Sequence, residues 1–111
     1  MKIPSIGKTE TFILTALSSG ERYGLEIVNK VKEISDAKVI LSLGGLYTTL
    51  HRMEEKGLLV SRWGETTKVR EGARRKYYKV TGLGIRALNE TTQLFKAAVD
   101  YRLNPAYGGA L

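Results

Sequence analysis

Apolar side chains recur at helical spacing in four stretches of this chain and alternate in two short ones. Ile13, Leu14 and Leu17 form an i, i+1, i+4 stripe in a first predicted helix over residues 8–18, closed by the turn formers Ser18, Ser19 and Gly20. A second helix is predicted over 22–34, with Tyr23, Ile27, Val31 and Ile34 on one side and Arg22, Glu26, Lys30 and Glu33 on the other. After a linker over 35–41, Ser42 is placed to cap a third helix that ends at Gly57. Its apolar side is Leu46, Leu50 and Met53. Residues 58–63 and 75–80 read as two strands of an antiparallel hairpin. Their connection, 64–74, is longer than a tight turn requires. Thr81 then caps a last helix over 82–103, before a short tail containing proline and glycine.

The third helix carries two incompatible faces. Opposite its apolar stripe stand Gly45, Thr48, Thr49 and Arg52, at i, i+3, i+4 and i+7. A helix that enters a DNA major groove needs short side chains, so that its backbone can approach base edges, and a long forked donor for a guanine or a phosphate. Thr48, Thr49 and Arg52 meet that need, although the same residues also suit an ordinary solvated face. Tyr47, beside the apolar stripe, admits two roles: packing with its hydroxyl on a phosphate, or packing alone. Tyr23 admits the same two. Trp63 reads as a hairpin or core anchor, and of Tyr77 and Tyr78 one packs and one faces out.

On the last helix Leu83, Gly84, Ala87, Leu88, Thr91, Leu94, Phe95, Ala98, Val99 and Tyr101 share one arc, interrupted by Arg102. The arc spans roughly 160 degrees, wider than the ~100 degrees that one packing contact uses. Its excess must be covered by the chain's own domain or by a second copy, and the small residues Gly84, Ala87, Thr91 and Ala98 permit a close helix approach. A domain this small has little surface to offer, so a homodimer is expected.

Charge sharpens the reading. The 111 residues carry a net charge of +7. Five of those seven charges fall between Arg62 and Lys79, where seven cations face two carboxylates. A basic hairpin loop carrying Lys68, Arg70 and Arg74, followed by Arg75 and Lys76, favours a polyanionic partner. With no cysteine there are no disulfides and no thiolate metal sites. No apolar run reaches the roughly 18 to 20 residues of a membrane span and no signal peptide opens the chain, so a cytoplasmic protein without a membrane partner is expected.

Enzyme chemistry is not expected. His51 is the sole histidine and has no serine or carboxylate assignable to it as a triad. Carboxylates are scattered, with no metal-ligand cluster and no phosphate-binding glycine–lysine loop, so neither metal nor cofactor is expected. Gly82-Leu83-Gly84 follows a strand and opens a helix as a dinucleotide motif does, but no second parallel strand follows.

Three helices, a hairpin with a basic loop and a long terminal helix describe a mainly α (α+β) winged helix-turn-helix with a C-terminal dimerisation helix. The chain resembles the PadR-type transcriptional regulators, of the small kind with one terminal helix. The resemblance rests on Tyr23-Gly24-Leu25-Glu26-Ile27, on Gly44 to Leu59 with its Leu-Tyr-x-Thr-Leu-His-Arg-x-Glu pattern, and on Arg74-Arg75-Lys76-Tyr77-Tyr78-Lys79-Val80-Thr81. It departs at Gly45, where the family often has Ser or Thr, and at Thr48, where it often has Pro. The resemblance implies a DNA-binding domain over 1–81, a dimerisation helix over 82–104 and a flexible tail over 105–111. DNA contacts are expected from Tyr23, Gly45, Tyr47, Thr48, Thr49, Arg52, Lys68, Arg70, Arg74, Arg75, Lys76 and Tyr77. Dimer contacts are expected from Leu83, Ala87, Leu88, Thr91, Leu94, Phe95, Ala98 and Tyr101. It further implies an inverted-repeat double-stranded operator and repression relieved by a small aromatic effector near the dimer centre. The other readings of the same fold are a protein-interaction module and a non-specific architectural DNA binder.

Overall fold

The stripes of the first and third helices are buried in full. Helix α1 spans Lys8–Leu17, α2 Gly24–Ile34, α3 Leu43–Glu55 and α4 Gly82–Leu103; the computed structural model describes residues 2–65 and 74–107. Ile13, Leu14 and Leu17 of α1 meet Leu46, Leu50 and Met53 of α3 in one core, joined by Ile27 and Val31 of α2 and by Leu58, Leu59 and Tyr78. Ile34, the last member of the α2 stripe, lies outside that core, exposed at the helix end.

Helix starts follow the chemistry of unpaired N–H groups. The Ser42 hydroxyl accepts from Gly45 N at 3.2 Å and the Thr81 hydroxyl from Gly84 N at 3.0 Å, as expected. At α1 and α2 a glutamate in the first turn reaches back instead: Glu10 accepts from Gly7 N at 3.0 Å and Glu26 from Tyr23 N at 3.1 Å. Helix α3 ends as its glycine requires. Gly57 adopts φ +79°, while Leu58 N donates to Met53 O and Gly57 N to Glu54 O, both at 3.0 Å. This left-handed stop satisfies the last carbonyls.

The sheet corrects the sequence reading in one respect. Besides β2 (Leu59–Trp63) and β3 (Lys76–Val80), a two-residue strand β1, Arg22–Tyr23, precedes α2. It pairs antiparallel with β3, giving the order β1-β3-β2. Arg22 and Tyr23 therefore belong to the sheet and not to the second helix. Two residues are too few to show alternation, and the helical spacing of Tyr23 to Ile27 concealed the break.

Helix α4 divides the broad arc. Its first turns lie on the chain's own core: Ala87 is 1% exposed and Leu83 and Leu88 pack against the same cluster. Gly84 passes so close to the Leu58 backbone, ahead of β2, and to Val80 at the end of β3 that an added Cβ would stand 2.7 Å from Val80 Cγ2 and 3.3 Å from the Leu58 carbonyl carbon. The close approach expected between copies at Gly84 and Ala87 is thus made within the chain, and Ala87 in particular is removed from the expected dimer face. Beyond Thr91 the helix is largely exposed, although Phe95 still borders Ile6 and Phe12 across a shallow groove. Leu94 is 71% and Phe95 65% exposed, and Ala98 and Tyr101 are exposed with them. The helix ends at Leu103, and a short 3-10 turn, Pro105–Tyr107, follows within the expected tail.

Candidate nucleic-acid interface

Helix α3 presents its polar face away from the core. Gly44, Gly45, Thr48 and Arg52 are exposed and Thr49 is half-buried. The Thr48 hydroxyl donates to Gly44 O at 3.3 Å and the Thr49 hydroxyl to Gly45 O at 3.1 Å. Their donor hydrogens are occupied internally, so outward they offer oxygen lone pairs and methyl groups. Such surfaces suit an amino group or a thymine methyl on a base edge. Arg52 makes no ion pair among the described residues, whereas its neighbour Lys56 is held by Glu10 at 3.1 Å. A Cβ added at Gly44 would meet nothing within 4 Å. Nothing among the described residues explains that glycine, which stands in the first turn of α3 and weakens the helix start. A bare backbone on this face suits the close approach of another molecule.

Tyr47 packs at one side and stays open at the other. Its ring crosses the start of α2 where Gly24 has no side chain, and a Cβ there would stand 2.8 Å from Tyr47 Cζ. Gly24 is therefore needed for Tyr47 to lie where it does. Tyr47 nevertheless remains 46% exposed.

The hairpin holds its cations on aromatic rings. The Arg75 guanidinium sits 4.2 Å from the centroid of Tyr23, and Tyr23 meets Tyr77 edge-on at 5.7 Å. Lys76 and Arg74 flank Trp63 at 5.5 and 5.9 Å. Arg74 Nε also donates to Gly64 O at 3.0 Å. Cation–π contact orients these groups without neutralising them. Arg62 is different. It donates through Nε and Nη2 to Glu21, and its guanidinium holds the Glu21 carboxyl below the usual carboxylate range by that hydrogen bond and by its charge. One of the seven cations of the basic segment is thereby spent on the fold. Lys68 and Arg70 lie outside the described residues. Trp63 anchors the hairpin, paired across the strands with Lys76, but it is 55% exposed and is no part of the core. Of the tyrosine pair, Tyr78 packs, and burial pushes its phenol above the ordinary range; Tyr77 faces the other side.

Beside the α3 polar face runs a groove of about 600 Å³, with Leu43, Tyr47 and His51 of α3 on one wall and Trp63, Arg74, Arg75 and Lys76 on the other; Thr49 and Arg52 border α1 instead. Sequence reasoning did not find this groove. Leu43 and His51 fall outside the stripe it followed, and Trp63 was assigned to packing because large apolar side chains usually pack.

An α1–α2–α3 core with a β-hairpin flanking the third helix is a winged helix-turn-helix. Residues 13–90 match the transcriptional regulator PadR-like family, and the chain belongs to it. A transcriptional regulator from Clostridium thermocellum is 31% identical, with a TM-score of 0.66 over 86% of this chain and 92% of its own. A PadR family transcription regulator from Clostridium difficile is 29% identical, with a TM-score of 0.71 over 86% and 95%. Bacillus subtilis PadR, solved in complex with operator DNA, shares the fold at 21% identity and a TM-score of 0.67 over 76% of this chain and 46% of its own.

Proposed function

We propose that this chain is a cytoplasmic, sequence-specific DNA-binding regulator that acts as a homodimeric repressor on an inverted-repeat operator. The observation that carries the reading is that the aromatic-held hairpin cations share a groove with Tyr47 and His51 of α3, while Thr48 and Arg52 stand exposed on the next face of the same helix. In this reading two copies of α3 enter successive major grooves, and Thr48, Thr49 and Arg52 discriminate among bases. Arg74, Arg75 and Lys76, with Lys68 and Arg70, supply affinity for phosphates that is indifferent to sequence. The second copy is held by the exposed outer half of α4. That a fold-sharing PadR was solved on operator DNA supports the duplex as the partner.

The division of labour is measurable. Once a duplex has been selected from a randomised library, Arg74→Ala should weaken selected and scrambled duplexes alike, and should make the slope of log affinity against log salt shallower by about 0.9. Arg52→Ala should instead reduce the preference at one base pair by about 1–3 kcal/mol. Equal loss on both duplexes for Arg52→Ala, with no sequence preference in the unmodified chain, would establish an architectural binder. Failure to bind duplex at any salt would favour a protein-interaction module.

The reading extends to a small aromatic effector bound where Phe95 and Tyr101 meet the second copy. Such a ligand releases DNA only by favouring a dimer geometry that spaces the recognition helices wrongly for the groove repeat. Planar aromatic compounds that bind should therefore lower operator affinity, and Phe95→Ala should abolish the response. Binding without any change in operator affinity would remove regulation from the proposal.

A further inference from the structure

The groove between α3 and the hairpin has an uneven chemistry that restricts what it can hold. Its floor carries the Glu54 carboxylate, which accepts from the Ser61 hydroxyl at 2.6 Å. A phosphate placed at that depth meets a negative charge. Positive charge is confined to the hairpin wall and rim, where Lys76 and Arg75 ride on Trp63 and Tyr23. Between floor and rim the surface is apolar: Leu43 is 43%, Tyr47 46% and Trp63 55% exposed. Large apolar side chains clustered beside unpaired cations cost solvation unless something covers them. The occupant must therefore present anions at one edge and hydrocarbon below it.

A DNA strand has this profile, with charged phosphates outside and the carbons of deoxyribose beneath. The groove is also continuous with the face that reads bases in the proposed function. Its α3 wall includes His51, which stands three residues, about one helical turn, from Thr48 and so borders that face. We infer that the groove seats one sugar–phosphate strand of the bound duplex, with Trp63 laid against a deoxyribose and Lys76 and Arg75 on the flanking phosphates. The inference rests on the DNA-binding reading and adds a contact that neither the charge pattern nor the recognition-helix face supplies.

Trp63 is the sole tryptophan of the chain, so its emission reports this place alone. The full chain is titrated at low salt with a mixed-sequence duplex of about 30 base pairs, roughly three helical turns. Binding is followed separately through the anisotropy of a dye on the DNA. Saturation should shield Trp63, lowering its quenching by acrylamide severalfold. Trp63→Ala should weaken binding about tenfold, as expected for losing an apolar contact of this kind, with the salt slope unchanged because no charge is lost. Trp63→Phe should restore most of the loss, and Lys76→Ala should lower the salt slope by about 0.9. Trp63 lies outside the core but pairs across the hairpin, so the unfolding midpoint of each variant is measured beside its affinity, and the quenching measurement needs no variant. If the duplex binds while Trp63 stays as accessible as in the free protein, or if Trp63→Ala binds as tightly as the native chain, the strand seat is wrong and the DNA-binding reading stands. If no duplex raises the anisotropy, both fall.

Discussion

Replacing Gly84 with valine should lower the thermal unfolding midpoint by about 10–20 °C. The first turn of α4 passes over the Leu58 carbonyl, and even a bare Cβ would lie 2.7 Å from Val80 Cγ2 and 3.3 Å from the Leu58 carbonyl carbon. Val80 can turn aside, but Leu58 cannot. Its carbonyl already accepts from Thr81 N at 3.1 Å, and its own N–H completes the left-handed stop of α3. Relief therefore requires α4 to move off the core, which withdraws Ala87 from it. Overpacking of this kind costs about 1–3 kcal/mol or somewhat more, and each kcal/mol moves the midpoint of a domain this size by roughly 4–8 °C. Gly44 and Gly82 supply the contrast, since a Cβ at either meets nothing within 4 Å. Gly44→Ala should raise stability by up to about 1 kcal/mol by restoring helix propensity. A native-like midpoint for Gly84→Val, measured by circular dichroism, would show that α4 does not dock as described.

How much of this was legible before the structure depended on whether a feature was local. The stripes of α1 and α3, the caps at Ser42 and Thr81 and the stop at Gly57 are short-range consequences of residue type, and each is where the pattern placed it. The turn after α2 was not legible, because Asp36 and Ala37 adopt φ 54° and 63° without a glycine to announce it. Strand β1 exists only because β3 is there to pair with it. Long-range chemistry was read in part. The basic segment was evident, but not that Glu21, 41 residues away from Arg62, withdraws that cation. The groove was hidden for the same reason: Leu43, Trp63 and Lys76 are distant in sequence, and only the fold brings them together. The arc on α4 reads as too wide for one contact, yet sequence could not assign its halves. Gly84 and Ala87 belong to the chain's own core, and the half beginning at Leu94 does not.

That outer half motivates the largest expected functional effect. The double substitution Leu94→Asp, Phe95→Asp should convert a dimer into a folded monomer and weaken binding to the inverted-repeat duplex by about 10²–10⁴-fold. Leu94, Phe95, Val99 and Leu103 are 71%, 65%, 45% and 60% exposed in a single chain. Leu94, Phe95 and Val99, three large side chains of the same arc, form an apolar patch of the kind that a soluble monomer rarely leaves uncovered. Two copies of this helix packed against each other remove it from water, with Ala98 leaving room for a close crossing. Aspartates placed there desolvate without partners, and dissociation avoids that cost. The fold should survive, because α1, α2, α3 and the sheet share a core to which Leu94 and Phe95 contribute nothing. The loss of affinity follows from linkage: in a dimer the second recognition helix binds at the effective concentration set by the first, and that advantage disappears when the copies separate. Binding of the monomer to a single half-site should be nearly unchanged, which separates loss of pairing from damage to α3. Sedimentation equilibrium at micromolar concentration and duplex anisotropy decide the matter together. A native chain that sediments as a monomer while holding the full operator tightly would remove α4 from the mechanism and leave its apolar end to some other partner.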